Sequence, residues 1–369
     1  MSLYVDGING LTFPDGSAQP TSGYTGFRNR IINGAMVIDQ RNSGASLTPT
    51  VDNTYTVDRW AARLSQASKY SVQQNAGSVT LPVGYSNYLG VTSLSAYSVA
   101  TGDYFLLQQR IEGYNISDLA WGTAAAKSVT LSFLVYSSLT GSFGGSIQNS
   151  TATRSYPFSY TVSAANTWTA IAVTITGDTA GTWLTNNGIG LNLSFNLGTG
   201  ATYSGTAGAW AATNYVSTTG SVSVVGTSGS TFYITGVQLE KAGTATPFEY
   251  RPYGTELALC QRYCFVIPKA TYMGNVGQAY STTRAQGSIP LPVTMRVAPA
   301  LTAITDYTGF NIYNNLASTI QLTAFIAIVS AYTNSMFWDA TVASGLTGGN
   351  AALLQQSPTN VPLILSAEL

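Results

Sequence analysis

Histidine is absent from this 369-residue sequence. Without it, Ser-His-Asp and Cys-His nucleophilic machinery cannot be built in the usual way, and the commonest transition-metal ligand is missing. Charge is also scarce. Lys, Arg, Asp and Glu make up 8% of the chain, against about 25% in ordinary soluble domains. Fifteen basic residues balance fifteen acidic ones. No lysine or arginine cluster appears, so the electrostatic footprint of nucleic-acid binding is lacking. Long apolar runs are missing too. The longest, around Phe325 to Val329, falls well short of the ~20 residues of a spanning helix, and no membrane insertion is expected. The opening Met1-Ser2-Leu3-Tyr4-Val5-Asp6-Gly7 has no basic stretch followed by an apolar one, so it does not read as a secretory signal. A surface-like composition without that signal fits assembly in a host cytoplasm and release by lysis. Only two cysteines occur, Cys260 and Cys264. Four apart on a helix they share one side, as a metal half-site that nothing completes or as two buried free thiols. No cofactor and no metal are expected.

What fills the chain instead is Gly, Ser, Thr, Asn and Ala, with 23 Tyr. Chains too hydrophilic to fold are usually rich in charge and poor in aromatics, which is the opposite composition. Residues 1–28 are dense in Asp-Gly and Asn-Gly turn signals, with apolar residues for tiny strands only. Such a segment cannot bury its own apolar face, and reads as an attachment or trimerisation segment that packs on copies of itself or on another protein. Residues 29–252 hold many period-2 segments, such as Ser128–Tyr136, Trp168–Thr176 and Thr231–Glu240, rich in Thr, Val, Tyr and Phe. Strands in series without helical periodicity predict an antiparallel sandwich. Residues 253–265 break the pattern. Thr255 as cap, Glu256 in the first turn, and Leu257, Cys260 and Cys264 on one face predict a short linker helix, with Pro252 and Pro268 as boundaries. Residues 266–369 return to strands, clearest over 279–291, 295–304 and 319–332, with 340–350 loop-like. The expected fold is all-β: a jelly-roll sandwich, a linker helix and a second, smaller β-sandwich.

Two segments carry a resemblance. Asn29-Arg30-Ile31-Ile32-Asn33-Gly34-Ala35-Met36, with Asp58-Arg59-Trp60 downstream, resembles the opening of carbohydrate-binding jelly-roll modules. Leu107-Gln108-Gln109-Arg110-Ile111-Glu112 and Ile234-Thr235-Gly236-Val237-Gln238-Leu239-Glu240 continue the likeness. The stretch through Thr246-Pro247-Phe248-Glu249-Tyr250-Arg251 looks like a module of phage tail-fibre and virion structural proteins. Leu259-Cys260-Gln261-Arg262-Tyr263, with Pro292-Val293-Thr294-Met295-Arg296-Val297-Ala298-Pro299, is similar to the C-terminal domain that follows it in those proteins. Leu11-Thr12-Phe13-Pro14-Asp15-Gly16 resembles short N-terminal repeats of tail fibres. The resemblance implies a homotrimer on the surface of a virion, anchored to other virion proteins through residues 1–28 and attached to a host cell-surface glycan. A capsid-decorating, head-fibre or cement protein is the alternative. A calcium site is not expected, since the entry strand offers only Asp39 and the closing strand Glu240.

Glycan binding needs aromatic faces for the C–H faces of pyranose rings and amides or carboxylates for the hydroxyls. Tyr85, Tyr88, Tyr97 and Tyr114 lie in turn-rich connections, and Trp121, Trp183 and Trp210 near Gly or Thr clusters, where aromatics are better placed for ligands than within alternating strands. Trp60 and Trp168 are assigned to the core. Gln109 and Glu112 fall on one predicted strand and meet hydroxyls if it lines a concave face. The carbohydrate-binding candidates are therefore Tyr88, Gln109, Glu112, Tyr114 and Trp121. Glycoside hydrolysis requires two carboxylates across the scissile bond. The candidates Asp39, Asp52, Asp58, Asp103, Glu112, Asp118 and Asp178 sit mostly beside turns or arginines, as ion pairs or caps do. No catalytic residue is assigned, and the chain is expected not to be an enzyme. Arg251 and Arg262 flank the predicted helix, to pair with Glu249 or Glu256 across the two domains or to cap a solvated helix end.

Overall fold

The computed structural model describes residues 27–267, 276–301, 309–314, 319–356 and 363–369, with the backbone of three short strands before them. Those three, β1 (Tyr4–Asp6), β2 (Gly10–Thr12) and β3 (Ala18–Gln19), form a small antiparallel sheet. The attachment role expected of residues 1–28 otherwise lies outside the described residues, as does the boundary at Pro268.

Thirteen strands follow: β4 (Thr54–Tyr55), β5 (Trp60–Leu64), β6 (Tyr70–Gln74), β7 (Leu89–Ser93), β8 (Tyr104–Glu112), β9 (Val129–Ser137), β10 (Gly141–Gln148), β11 (Ser155–Val162), β12 (Thr169–Ile175), β13 (Ile189–Thr199), β14 (Ser204–Gly205), β15 (Ser217–Thr218) and β16 (Thr231–Glu240). They build the jelly-roll from a six-stranded sheet, ordered β11-β10-β13-β8-β5-β4, and a five-stranded sheet, ordered β12-β9-β16-β7-β6. Alternation decides what lies between them. Phe105, Leu107 and Ile111 of β8, and Leu191, Leu193, Phe195 and Leu197 of β13, face Leu131, Phe133 and Val135 of β9 and Phe232, Ile234 and Leu239 of β16 in one core. Trp60 sits in this core as expected. Trp168 does not. It is half-buried in a second aromatic group with Tyr88, Tyr136 and Tyr233, because Trp168 precedes β12 and its indole N–H donates to Thr80 O, 2.9 Å away.

The helix α1 covers Tyr253–Gln261 and starts after Pro252 with no side-chain cap, so Thr255 does not cap it. It is shorter than expected, because the chain enters β17 (Cys264–Ile267) to pair with β25 (Leu363–Ser366). Cys260 is therefore on the helix and Cys264 on a strand; both are buried free thiols. Beyond lie β18 (Val276–Ala279), β19 (Arg284–Pro290), β20 (Ala300–Leu301), β21 (Phe310–Asn314), β22 (Thr319–Tyr332), β23 (Ser335–Val342) and β24 (Ala351–Gln356). This C-terminal part is β as expected, but its main sheet closes into a six-stranded barrel instead of forming a sandwich, and β17, β25 and β20 make a separate sheet. The long β22 shifts register against β23 at three places, and bulges of this kind bend a strand, as closure of a sheet requires. Trp338, Phe310, Met336 and Leu354 fill the barrel.

The Asn33-Gly34 pair shows why the entry segment has its sequence. Asn33 is buried, donates to Ile38 O and Asp58 O, and accepts from Ile38 N. Gly34 lies so close to β16 that a Cβ there would come within 2.1 Å of Val237 O. Gly34→Ala should destabilise the protein by about 2 kcal/mol, measured as a lower urea midpoint. An unchanged midpoint would mean that the backbones can separate freely here.

Candidate functional site

Strand parity puts a polar cleft on the outer face of the six-stranded sheet. With Phe105, Leu107 and Ile111 inside, Tyr104, Leu106, Gln108 and Arg110 face outward and line a cavity of about 300 Å³. Register sets Arg110 opposite Asn192 on β13, and Asn192 opposite Gln148 on β10. One row across three strands thus reads Arg–Asn–Gln, a line of donors and acceptors. Gln108 stands beside it, donating to Ser194 Oγ at 3.0 Å and accepting from Arg63 Nη1 at 2.8 Å. The segment after β13 supplies a wall. Tyr203 meets Tyr104 edge-to-face at 5.5 Å, and Asn214 accepts from Gln148 Nε2 at 2.7 Å.

Two guanidinium groups set the electrostatics. Arg63 is held by Asp52, Nε to Oδ1 at 2.9 Å, and lies 5.8 Å from the centre of the Tyr104 ring. Burial alone pushes the Asp52 carboxyl up, but the Arg63 hydrogen bond and the Leu64 amide outweigh it and hold it below the usual carboxylate range. Arg110 donates to Gln108 Oε1 and to the carbonyl of Leu369. No lining residue is a carboxylate.

The sequence-assigned residues fall elsewhere. Of the five, Tyr114 alone is exposed, at 59%. It borders a shallow pocket with Phe27, Arg30 and Asn115. Tyr88 is buried, stacked on Tyr233 at 5.1 Å, with its hydroxyl on Ala76 O. Gln109 is buried and clamps the Ile32 backbone, accepting from its N–H and donating to its carbonyl, both at 2.9 Å. Trp121 packs edge-to-face on Trp183 and Trp210 at 4.7 and 5.4 Å and donates to Lys127 O. Glu112 accepts from Arg262 Nε and Nη2 at 2.9 and 2.6 Å and from the Tyr263 hydroxyl at 2.6 Å. These four have no face free for a sugar, since each is committed to packing or to a partner within the chain. Arg262 thus pairs with Glu112, whereas Arg251 pairs with both Glu249 and Glu256.

The other acidic residues of the jelly-roll are engaged as well. Asp58 meets Arg41 and Gln40, Asp118 meets Arg30 and Lys241, and Asp178 forms a paired contact with Arg154. Asp39 caps the Asn42 and Gly44 amides, and Asp103 takes Ser65 and Tyr97. Among the described residues no group of three Cys, Asp or Glu is placed to hold a metal, and no helix is long and apolar enough to cross a membrane.

Glu112 gives a pH signature. Burial raises its pKa, but Arg262 and Tyr263 outweigh burial and hold it below its ordinary 4.5. Its stabilising contribution is therefore complete above about pH 4.5 and is lost as the pH falls through the lowered value. Glu112→Gln should cost about 2 kcal/mol at pH 7. The gap in melting temperature from the native protein should narrow steadily as acid is added below that point. A gap independent of pH would show that Arg262 does not hold the carboxylate.

No family model matches the chain, and no curated protein matches it in sequence. Among solved structures it is similar to the enzymatically active domain of tailspike protein 4 of bacteriophage CBA120, at 11% identity and a TM-score of 0.32. That match takes in 59% of this chain and 21% of the tailspike's, so the chain spans about a fifth of that protein. A putative sugar-binding protein from Bacteroides thetaiotaomicron matches 58% of this chain over 100% of its own, at 13% identity and a TM-score of 0.35. A family 11 carbohydrate-binding module of a Clostridium thermocellum cellulosomal cellulase matches 54% of this chain over 96% of its own, at 12% identity and a TM-score of 0.26.

Proposed function

We propose that this chain is a non-enzymatic glycan-binding protein that uses the outer cleft of the jelly-roll, and that it acts as an adhesin subunit of a trimeric phage fibre exposed on the virion. The observation that carries the binding reading is the Arg110–Asn192–Gln148 row under the Tyr104 and Tyr203 wall. A pyranose has an apolar C–H face that suits an aromatic wall and a rim of hydroxyls that suits side chains able to donate and accept at once. Two guanidinium groups against the single nearby carboxylate of Asp52 favour a glycan that is neutral or carries anionic substituents over one carrying amines. Hydrolysis needs two carboxylates at a set separation, and the cleft lining offers none. The fibre, trimer and virion parts of the reading rest on the sequence resemblance and on the scarcity of charge. Three copies would turn weak single-site affinity into firm attachment.

Tyr203→Ala removes one wall of the cleft and leaves the core intact. It should weaken binding of acidic glycans on an array by about tenfold with a melting temperature close to that of the native protein. Undiminished binding would remove the cleft from the reading. Reducing ends released from host polysaccharide would overturn the non-enzymatic part.

A further inference from the structure

A second cavity, of about 320 Å³, shares no lining residue with the cleft. It lies where the entry segment, the loop at residues 84–86 and the segment leading into α1 meet. One side is aromatic. The rings of Tyr85, Phe248 and Tyr250 pack in a triangle with centroids 5.0 to 5.7 Å apart. Tyr85 is fixed by its fit over Gly236, whose left-handed φ of 62° and lack of Cβ leave room for the phenol. Tyr250 stays 58% exposed, so the wall presents a free ring.

The other side is ionised and rigid. Glu249 accepts the Arg28 and Asn29 amides at 3.0 and 2.9 Å. Glu256 accepts the Asn33 amide. Arg251 lies between them, 3.4 Å from each carboxylate, and donates to Ile31 O and Asn29 O. These contacts pre-organise the polar groups, and Glu249 Oε1 and Glu256 Oε2, with one hydrogen bond each, keep acceptor capacity. Two carboxylates against one guanidinium leave the lining with an excess of negative charge, the reverse of the cleft.

We propose that this cavity is a second, independent pyranose site, selective for neutral or amine-bearing sugars and closed to acidic ones. An apolar wall facing fixed acceptors suits a ring with one C–H face and a rim of donors. An anionic ligand would meet uncompensated carboxylates. With the cleft, one chain would then hold two sites of opposite charge preference, able to engage two different residues of one polysaccharide.

Saturation-transfer NMR on the full chain tests this with three probes: methyl glucoside, methyl glucosaminide and methyl glucuronide. In a Tyr203→Ala background the glucosaminide should keep its transfer, the glucoside should keep the part that comes from this cavity, and the glucuronide should lose its transfer. Adding Tyr250→Ala should cut the remaining transfer about fivefold, and Tyr250→Trp should restore it. Because Tyr250 is 58% exposed, losing its contacts with Tyr85 and Phe248 should lower the melting temperature only slightly, and Tyr250→Trp should recover it. Equal transfer with and without Tyr250 in that background overturns the second site. So does silence from all three probes, or a glucuronide as strong as the glucosaminide. The array result for Tyr203→Ala alone judges the cleft separately.

Discussion

The buried guanidinium of Arg59 ties the jelly-roll to the segments that flank the small C-terminal sheet. Its side chain is 1% exposed, ion-pairs with Glu368 and lies 3.6 Å above the ring of Tyr263. Both partners belong to the C-terminal half. The backbone at Arg59 is left-handed, with φ of 72°, a conformation that a non-glycine residue keeps only where its surroundings enforce it. Stripping a buried charge of its partner costs about 3–5 kcal/mol, so neither half can rotate away without exposing or orphaning this group. Arg41 reinforces the joint by reaching both Glu368 and Asp58, and Arg296 by donating to Asn187 O, Ala367 O and Glu368 O.

The same joint contains groups that pull in opposite directions with pH. Burial pushes the Asp58 carboxyl up to about 7, and the Arg41 charge and the Gln40 hydrogen bond do not overcome it. The folded state therefore holds a proton there that the unfolded chain has already lost. The Asp58 contribution to stability falls as the pH rises from about 4 to 7. Glu112, on the same side of the joint, behaves in the reverse sense because its partners win over burial. The two carboxylates differ in depth of burial, in the repulsion that Glu368 and Asp39 exert on Asp58, and in the directness of their contact with arginine. Glu112 has Arg262 at 2.6 Å, whereas Asp58 has Arg41 at 3.4 Å.

Much of the architecture was legible from alternation. The strands Val129–Ser137, Thr169–Ile175 and Thr231–Glu240 nearly coincide with the period-2 segments. Face assignment was legible only from the neighbours along the strand. Gln108 and Gln109 are adjacent and chemically identical, yet parity sends one into the cleft and the other inward onto the Ile32 backbone. Sequence alone does not say which of the two lies on the inner face until the neighbours are known. The signal was present in Phe105, Leu107 and Ile111, which share the parity of Gln109. Tyr203 was missed for a different reason. It lies in a Gly, Ser and Thr-rich stretch with no periodicity, and only the path of that segment over the sheet brings it to Tyr104. Glu112 stands out in the sequence as a candidate ligand but not as a tie between domains, because its partners Arg262 and Tyr263 are 150 and 151 residues away in the chain.

A low content of charge explains why so many arginines are committed. In a charge-rich chain most ion pairs sit at the surface, where each contributes little. Here Arg41, Arg59 and Arg251 are nearly inaccessible, and their carboxylate partners Asp58, Glu368 and Glu256 are also largely buried. Buried pairs contribute little net stability over apolar packing but penalise every arrangement that separates them. Charge in this molecule therefore specifies geometry. It holds the entry segment to the linker helix, the helix to the sheet and the two β units to each other. The surfaces between these ties remain free to be built from hydroxyls, amides and aromatic rings, the groups that can meet a sugar without first shedding a tightly held hydration shell.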